Sequence, residues 1–491
     1  MDSKDADGRA RPQTTRRGAL ASLAGTAVGL AVAACRPAAA QGTVFTPEAF
    51  GARGDGRTDD YEALQRLAAA VSAAGGGTVR FGRGRHYLID RYQIAGGPNR
   101  NGVRHITYEG CRGLVVDLNG STIDVKGDFH RGRDTGRDRR VSFSNAVIPF
   151  VFTRCTNLTV RNGVLNGNVQ RMTREGAVWE GAGHGISLLG CRRVLLEGLH
   201  IHHFSTDGLR AGIDVSGGGT PCQELTLKEV RLTNNARQGF SNTGSVGVVA
   251  TDCEFSQTGQ TGGAYGRHNP SAGVDCEPIR QLAVKADFRA VRCRFDGNLG
   301  APIVSGNPDR TALIELIDCG GRTANLERMI LSCERTVIRG GSWHNVQIAC
   351  AYGAHRPFRT PIAVEVSGGL WTGDDPAWFP VYDANPKRPR VRIHNNRFRL
   401  LSPQPYQSSA LFLCPNPNHQ FEENEVFVSR TGHQGSGDDV VGQFHGAALV
   451  RGNRWSTDAA PPMRFVNNYQ GVQRLEQESF SGSFAGVGRG R

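Results

Sequence analysis

The stretch that decides the fold is FTPEAFGARGDGRTDDYEALQRLAAAVSAAGGGTVRFGRGRHYLI, at residues 45–89. Its middle part predicts a short amphipathic helix, because Thr58 or Asp59 is a good N-cap and the glycines at 75–77 would end the helix. The apolar face of this helix consists of Ala63, Leu64, Leu67 and Val71. The acidic run GDGRTDD could hold a metal ion, but helix capping and turn formation account for the same residues. We expect the helix to plug the open end of a repetitive core.

Downstream, the chain repeats a unit in which a cysteine and two polar residues precede alternating apolar residues and a final Asn or Gly. Four copies begin at Cys111, Cys155, Cys191 and Cys222, and the last two intervals are 36 and 31 residues. Such variable spacing is typical of coils whose turns differ in length while the strands stay in register, unlike the fixed period of ankyrin repeats. The sequence therefore predicts an all-β fold, a single-stranded right-handed parallel β-helix with a short N-terminal capping helix.

Residues 45–89 resemble the opening of the pectate lyase and rhamnogalacturonase superfamily, whose members begin FGAxGDGxTDDxxAxQxA and continue with GGGTVxFPxGxY. The matching residues are Phe50, Gly51, Gly54, Asp55, Gly56, Thr58, Asp59, Asp60, Gln65 and the GGGTV run at 75–79. This resemblance implies a parallel β-helix that acts on a polysaccharide. The domains we expect are an export signal at 1–42, the cap at 43–100, the β-helix at 101–460 and an irregular tail at 461–491.

The first 42 residues are typical of an export signal. Arg16 and Arg17 precede an apolar stretch at 19–34 that is too short and too rich in Ala and Gly to span a membrane stably, which indicates the twin-arginine route. The run VAAC ending at Cys35 resembles the lipobox of bacterial lipoproteins, in which Cys35 would be acylated. The alanines at 38–40 offer an ordinary cleavage site instead. The mature protein would be periplasmic, extracellular or attached to the outer membrane, with membrane contact only through a lipid anchor.

The charge of the chain points to an anionic partner. The formal net charge is +13, and most of the positive residues are arginines. We find no zinc-finger, RRM or helix-turn-helix pattern, so an acidic polysaccharide is preferred over nucleic acid. We expect a monomer.

Twelve cysteines in an exported chain suggest disulfides, but their positions indicate another role. Cys111, Cys155, Cys191 and Cys222 occupy equivalent places in successive repeats, and Cys253, Cys293 and Cys319 share a later register. Stacked strands lie about 4.8 Å apart, so equivalent cysteines would form ladders inside the core. We therefore predict ladders of thiols rather than disulfides.

A second set of repeats predicts a functional groove. The segments that begin at His184, Asp207, Gln238 and Ala272 each place Gly at their second position, and should be the same strand on four successive coils. Alternation along the strand then directs Ser187, Arg210, Ser241, Asp275 and Glu277 outward. The groove would gather His184, Asp207, Arg210, Arg237, Gln238, Asp275 and Glu277. Solvated charges on an exposed face would produce the same pattern.

Two reactions fit such a groove. A polyuronate lyase needs a cation that neutralises the substrate carboxylate, such as Arg210 or Arg237, and a base, such as His184, His268 or an Arg. A glycosidase needs two carboxyl groups, which Asp207 together with Asp275 or Glu277 could supply. A third possibility is a protein that binds a glycan without cleaving it.

The candidate residues divide into two groups. The catalytic candidates are Asp207, Arg237, Asp275, Glu277 and His184. The substrate-binding candidates are Arg210, Gln238, His268 and Trp371. Asp275 and Glu277 are also possible calcium ligands, because they lie two residues apart and offer hard oxygen atoms. Trp371 belongs to the segment WTGDDPAWFP, where an exposed aromatic ring could stack on a sugar, although a loop anchor is an equal alternative.

A second resemblance concerns the groove itself. The segments DGL at 207–209 and NARQGFSN at 235–242 resemble the DGF and NDRHGFN coils of bacterial mannuronan epimerases. Asp207 and Arg237 match residues of that family's groove, whereas Gln238 replaces its His. The segment HGISLLG at 184–190 lacks the Asp and His of the family's YGFDPHE, so the resemblance does not imply epimerase activity.

Overall fold

The structure is a computed structural model. The residues that it describes are 42–95, 102–131, 143–174, 181–279, 285–350, 359–374, 381–382, 389–401, 412–413, 418–429, 440–443, 449–458, 463–466, 475–482 and 484–485. The proposed export signal, with Arg16, Arg17 and Cys35, lies outside the described residues. Within them, no helix combines the length and the apolar character that a membrane crossing requires.

The N-terminal cap is built around one α-helix, Tyr61–Ala73, which buries its predicted apolar face. The N-cap is Asp60 rather than Thr58 or Asp59, since the chain is still extended over Asp55–Asp59. The Asp60 carboxylate accepts the backbone N–H groups of Arg53 and Gly54, at 2.7 and 3.2 Å. The remaining elements of the cap are Val44–Phe45, a 3-10 helix at Pro47–Phe50, Thr78–Arg80 and His86–Ile89.

The acidic run before the helix forms turns, as predicted. The Asp55 carboxylate accepts hydrogen bonds from the backbone N–H groups of Arg57 and Thr58 and from the Thr58 hydroxyl. The backbone hydrogen bond from Thr58 is the main reason that the pKa of Asp55 falls to about 2. These bonds stabilise the turn that leads the chain into the helix.

After the cap, the chain winds into coils whose strands stack in parallel on three faces, which we call sheets 1, 2 and 3. Sheet 1 contains Thr107–Glu109, Phe150–Thr153, Ile186–Leu189, Asp207–Gly212, Gln238–Asn242, Ala272–Cys276, Ile303–Ser305, Val381–Tyr382, Phe412–Leu413, Val440–Gln443, Met463–Val466 and Phe484–Ala485. Sheet 2 contains Val44–Phe45, Thr78–Arg80, Cys222–Lys228, Ser245–Thr251, Ala286–Val291, Thr311–Ile317, Arg335–Arg339, Ala363–Ser367, Arg390–His394, His419–Glu422, Leu449–Arg451 and Leu475–Glu476.

Sheet 3 contains Asp55–Asp59, His86–Ile89, Arg231–Thr233, Glu254–Ser256, Leu370–Gly373, Arg397–Leu401, Glu425–Ser429, Arg454–Thr457 and Ser479–Ser481. Five long strands turn a corner between two sheets: Val115–Val125, Thr156–Asn166, Arg192–His202, Gly320–Leu331 and Ser342–Cys350. The bend falls at residues such as Asn162 and Gly198, whose φ angles of +61° and +59° lie in the left-handed region.

Four short elements lie outside the coils, together with one 3-10 helix. Tyr92–Ala95 pairs antiparallel with Phe143–Ala146, and His130–Arg131 pairs with Thr173–Arg174. The 3-10 helix is Val169–Arg171.

The interior is filled by ladders of equivalent side chains. The cysteines of the two predicted ladders are buried and form no disulfide. Successive members are in contact, as the N–H groups of Cys191 and Cys293 lie 3.4 Å from the sulfur atoms of Cys222 and Cys319, which confirms the prediction of thiol ladders. In the later coils, rings of successive coils stack with centroids 5.3 to 6.4 Å apart. This stack runs through Phe255, Phe295, Trp343, Trp371, Phe398, Phe421 and Trp455. A parallel ladder of buried amides joins Asn396, Asn424 and Asn453.

The coils continue beyond residue 460, where an irregular tail was expected. Trp455 in strand Arg454–Thr457 pairs with Phe480 in strand Ser479–Ser481, and Met463–Val466 pairs with Phe484–Ala485. The aromatic and β-branched residues in this segment therefore form strands rather than a tail.

Candidate functional site

The four glycine-led segments are neighbouring strands of sheet 1, as predicted. Leu209 lies opposite Ile186 in the preceding coil and Phe240 in the next, and Phe240 lies opposite Val274. All these apolar side chains are buried in the interior. The pairing also aligns the outward column Ser187, Arg210, Ser241 and Asp275.

The repeated glycine is required where the chain enters each of these strands. A Cβ atom on Gly208 would lie 2.6 Å from Nδ2 of Asn235, and one on Gly239 would lie 2.6 Å from the carbonyl oxygen of Gly273. Because the glycine faces the crowded interior at this corner, the residue before it is directed toward the outer side. This explains why Asp207 and Gln238 belong to the site although they precede the regular alternation of the strand.

His184, Asp207 and Arg237 form a buried cluster at this corner. Nδ1 of His184 lies 3.2 Å from one carboxylate oxygen of Asp207, and a guanidinium nitrogen of Arg237 lies 3.5 Å from the other. Asp207 is 1% exposed and His184 is 5% exposed. The Thr206 hydroxyl, which the sequence analysis missed, accepts the N–H of Gly183 and lies 3.0 Å from Nδ1 of His184. The ring is thus held on its Nδ1 side.

The electrostatics of the cluster favour an ionised Asp207 beside a neutral His184. Burial lowers the pKa of His184, and this effect outweighs the attraction of Asp207. Burial alone would raise the pKa of Asp207, but Arg237, His184 and Arg210 together hold it below its usual value. A neutral imidazole with Nδ1 toward a carboxylate keeps its proton on Nδ1, so Nε2 is available as a base.

Asp275 and Gln238 lie on the next two coils and are also buried, contrary to the expectation that Asp275 points into solvent. Gln238 is 1% exposed and Asp275 is 3% exposed. The Gln238 amide accepts a hydrogen bond from Arg237 and donates one to Asp275. Burial, with the charges of Glu277 and Asp207, raises the pKa of Asp275 to about 8. Ser187 and Ser241 are buried as well, so Arg210 is the one member of the outward column that is partly exposed.

A groove of about 670 Å³ opens over this cluster. His184, Asp207, Arg237 and Ser241 lie at its base, and the more exposed Arg210, Glu277 and Arg310 lie along it. Arg310 donates to the carbonyl oxygen of Pro278 at 3.3 Å. Arg310 could not be predicted from the sequence, because this residue follows a turn outside the glycine-led repeats and carries no motif.

Two predicted substrate-binding roles, those of Gln238 and Trp371, do not fit the structure. Gln238 is too deeply buried, and too fully hydrogen bonded, to contact a substrate in this state. Trp371 is fully buried in the aromatic stack between Trp343 and Phe398, so a sugar ring cannot stack on it. The WTGD segment continues a strand rather than forming an exposed loop, which is why the interpretation as a sugar platform was wrong.

The structure also bears on the predicted roles of His268 in the groove and of Asp275 and Glu277 as calcium ligands. His268 is buried, its backbone N–H donates to the carbonyl oxygen of Ala236, and it is not among the residues that line the groove. Asp275 and Glu277 do not share one exposed face, since only Glu277 is exposed. In the part of the chain that the structure describes, no group of three or more His, Cys, Asp or Glu side chains is arranged to hold a metal ion.

Comparison with known proteins gives few sequence matches and a clear likeness of fold. No protein-family model matches the chain. A capsule-specific depolymerase of Klebsiella phage KN3-1, Depolymerase 1, is 27% identical over 169 residues, which are 34% of this chain and 19% of that protein. The match therefore spans about a fifth of the relative's length.

Among solved structures, the pre-mature gene product 12 of bacteriophage phi29 superposes with a TM-score of 0.51 at 13% identity, over 90% of this chain and 57% of that chain. The A-module of a mannuronan C-5 epimerase from Azotobacter vinelandii superposes with a TM-score of 0.39 at 14% identity, over 90% of this chain and all of that module. At these identities the likeness concerns the fold alone.

Proposed function

We propose that this member of the right-handed parallel β-helix superfamily cleaves an acidic, uronate-containing polysaccharide by β-elimination in the groove above His184 and Asp207. The partial match to a capsule depolymerase of a phage supports a polysaccharide substrate. The net charge of +13 supports an anionic one. We also propose export by the twin-arginine route, with Cys35 as a possible lipid attachment site.

One observation carries this proposal: a neutral imidazole, oriented by a buried carboxylate, lies in a groove that guanidinium groups border. None of the described residues gives the Arg210 side chain a salt bridge or a hydrogen bond. Arg210 is therefore available to an anion from solution. Arg237 and Arg310 add two further positive charges to the same groove.

The geometry supports a separate role for each residue in β-elimination. Arg210, together with Arg237 or Arg310, would bind the uronate carboxylate and stabilise the negative charge that develops there. Nε2 of His184 would accept the proton from C5 of the sugar. The electron pair of the broken C–H bond forms the double bond between C4 and C5, the bond from C4 to the glycosidic oxygen breaks, and that oxygen takes a proton from water. Asp207 would stabilise the resulting imidazolium.

Hydrolysis is a second candidate, favoured by the raised pKa of Asp275. A carboxyl group that remains protonated at neutral pH is what a glycosidase needs as its general acid. Glu277, exposed in the groove two residues later, would then activate water. Against this candidate, Asp275 is not among the residues that line the groove, whereas His184 is, and Oδ2 of Asp275 is already hydrogen bonded to Gln238.

The test is incubation of the mature protein with a panel of uronate polymers, followed by product analysis. Ultraviolet absorbance of an unsaturated uronate product supports β-elimination, and its absence on every polymer contradicts it. New reducing ends without that absorbance indicate hydrolysis, and retention of the polymer without cleavage indicates binding alone. His184→Asn should abolish the absorbance change, whereas His200→Asn, on the other side of the coil in sheet 3, should not.

A further inference from the structure

The orientation of the Gln238 amide follows from its two neighbours. Arginine has only hydrogen-bond donors, so the amide oxygen must face Arg237, where the nitrogen-to-oxygen distance is 3.2 Å. The amide NH2 group therefore faces Asp275 and donates to its Oδ2 atom. With 1% exposure, Gln238 has no room to turn its amide toward water.

This arrangement also locates the proton of Asp275. Oδ2 already accepts a hydrogen bond from Gln238, whereas Oδ1 is buried and makes neither a hydrogen bond nor an ion pair with any described residue. The oxygen atoms of Asp207 also lack a hydrogen bond, but they form ion pairs with His184 and Arg237 at 3.2 and 3.5 Å. A buried carboxylate with an unpartnered oxygen is costly, and a neutral carboxylic acid at the same place costs far less. A proton on Oδ2 would face the Gln238 NH2 group, donor against donor, so the proton belongs on Oδ1.

The surrounding charges also favour the neutral form of Asp275. The charged groups that influence Asp275 are Glu277 and Asp207, which repel a second negative charge, and Arg237, which attracts it. Arg237 is shared with Asp207, from which it lies 3.5 Å away, and it cannot neutralise both carboxyl groups. The asymmetry leaves Asp207 ionised and Asp275 neutral.

We propose that Asp275 and Gln238 are positioning residues of the groove: Asp275 is a neutral carboxylic acid with its proton on Oδ1, and through the Gln238 amide it holds Arg237 against Asp207. A continuous chain then runs over four coils, from Asp275 through Gln238, Arg237 and Asp207 to His184. The effect on turnover depends on the function proposed above, whereas the protonation state does not.

The protonation state has a consequence for stability that can be measured without any substrate. Because the pKa of Asp275 is about 8 in the folded chain and near 3.8 in the unfolded chain, the folded chain binds more protons between these values. The stability that Asp275 contributes is therefore complete below the unfolded pKa and is lost as the pH rises through the folded pKa. An uncharged replacement of the same shape should be free of this loss.

The decisive variant is Asp275→Asn, which mimics the neutral acid, and its matched control is Asp252→Asn, which makes the same change at an exposed carboxylate outside the groove. Thermal unfolding of all three proteins is measured from about pH 6 to about pH 9. We expect the midpoint of Asp275→Asn to rise relative to the wild type as the pH increases toward 8, and the difference to level off above pH 8. The midpoint of Asp252→Asn should stay parallel to that of the wild type. At neutral pH, Gln238→Met, which cannot hold Arg237, should lower turnover about tenfold or more, and the neutral mimic Asp275→Asn should lower it less than Gln238→Met does.

Two results would overturn the proposal. Parallel unfolding midpoints of wild type and Asp275→Asn over the whole pH range would mean that Asp275 is not neutral. Loss of turnover in a normally folded Asp275→Asn would mean that Asp275 delivers its proton to the substrate, as in the hydrolytic candidate. If the wild type cleaves no polymer, the proposed function fails, and the unfolding series still decides the protonation state.

Discussion

The outer side of sheet 1 differs between two regions that share one register. On the four coils of the site, the outward column is Ser187, Arg210, Ser241 and Asp275. On the next three coils, the same column continues as Val304, Ile330 and Ala349. The inward residues beneath are apolar in both regions, for example Phe240 and Ile303.

This difference separates what the fold requires from what it permits. Stacking needs only the inward ladder, which is the same in both regions. A buried Asp, Gln and Arg on the outer side cost desolvation energy and are not needed for the coil to close, as the apolar coils demonstrate. We infer that the polar column on coils 184–277 is retained for the groove.

The largest effect is expected from Asp207→Ala, which breaks the polar region at its centre. His184 would lose the carboxylate on its Nδ1 side and Arg237 would lose its ion pair with Asp207, so turnover should fall at least about 100-fold. Breaking this buried pair should also cost about 3 to 5 kcal/mol of unfolding free energy. Chemical denaturation and product assays check both values.

The control for this variant is Asp252→Ala, which removes an exposed carboxylate that pairs with Arg292. A surface pair of this kind contributes little to stability, so the control should fold and react normally. Equal losses of turnover and of unfolding free energy in the two variants would contradict the special role of the buried Asp207.

Trp371→Ala tests the interior of the later coils. The ring lies between Trp343 and Phe398 and is fully buried, so its removal should destabilise the chain by about 3 to 5 kcal/mol. Trp371→Phe preserves a stacked ring and should recover more than half of that loss. Turnover below the unfolding temperature should be unchanged, and weaker substrate binding in a folded Trp371→Phe would restore the abandoned sugar-platform interpretation.

The sequence predicted the register of the strands at the site but not the burial of the side chains on their outer side. Glycine before an apolar residue marks where each strand begins, so Asp207, Gln238 and Asp275 could be placed on neighbouring coils from their positions alone. Whether an outward side chain is covered depends on its neighbours in three dimensions, and Ser187, Ser241 and Asp275 were therefore expected in solvent. Trp371 was misassigned for a related reason: its equivalence with Phe398 is evident only once the coils are paired.

Asn424→Ala tests the buried amide ladder of the later coils, which lies away from the groove. Its Nδ2 atom donates to the carbonyl oxygen of Ile393 and to Oδ1 of Asn453, and its own Oδ1 accepts the N–H of Asn396. Losing these buried partners should cost about 1 to 3 kcal/mol. Asn418→Ala, an exposed asparagine outside the ladder, serves as the control in the same denaturation experiment. A loss as large in the control would assign the effect to asparagine in general rather than to the ladder.

Arg210→Ala gives the smallest and most specific effect, because it removes a charge from the groove without breaking a bond of the fold. The Arg210 side chain has no salt bridge or hydrogen bond to a described residue, so the unfolding midpoint should stay the same. The affinity for an acidic polymer should fall about tenfold at low salt, and the difference should shrink as salt screens the charges. Arg335→Ala removes an exposed arginine of sheet 2 and leaves the same net charge. If both variants weaken binding equally, the polymer responds to the overall charge of the chain. If only Arg210→Ala weakens binding, the anion is bound on the coils of sheet 1 whose outward column is polar, and not on the following coils, whose outward column is apolar.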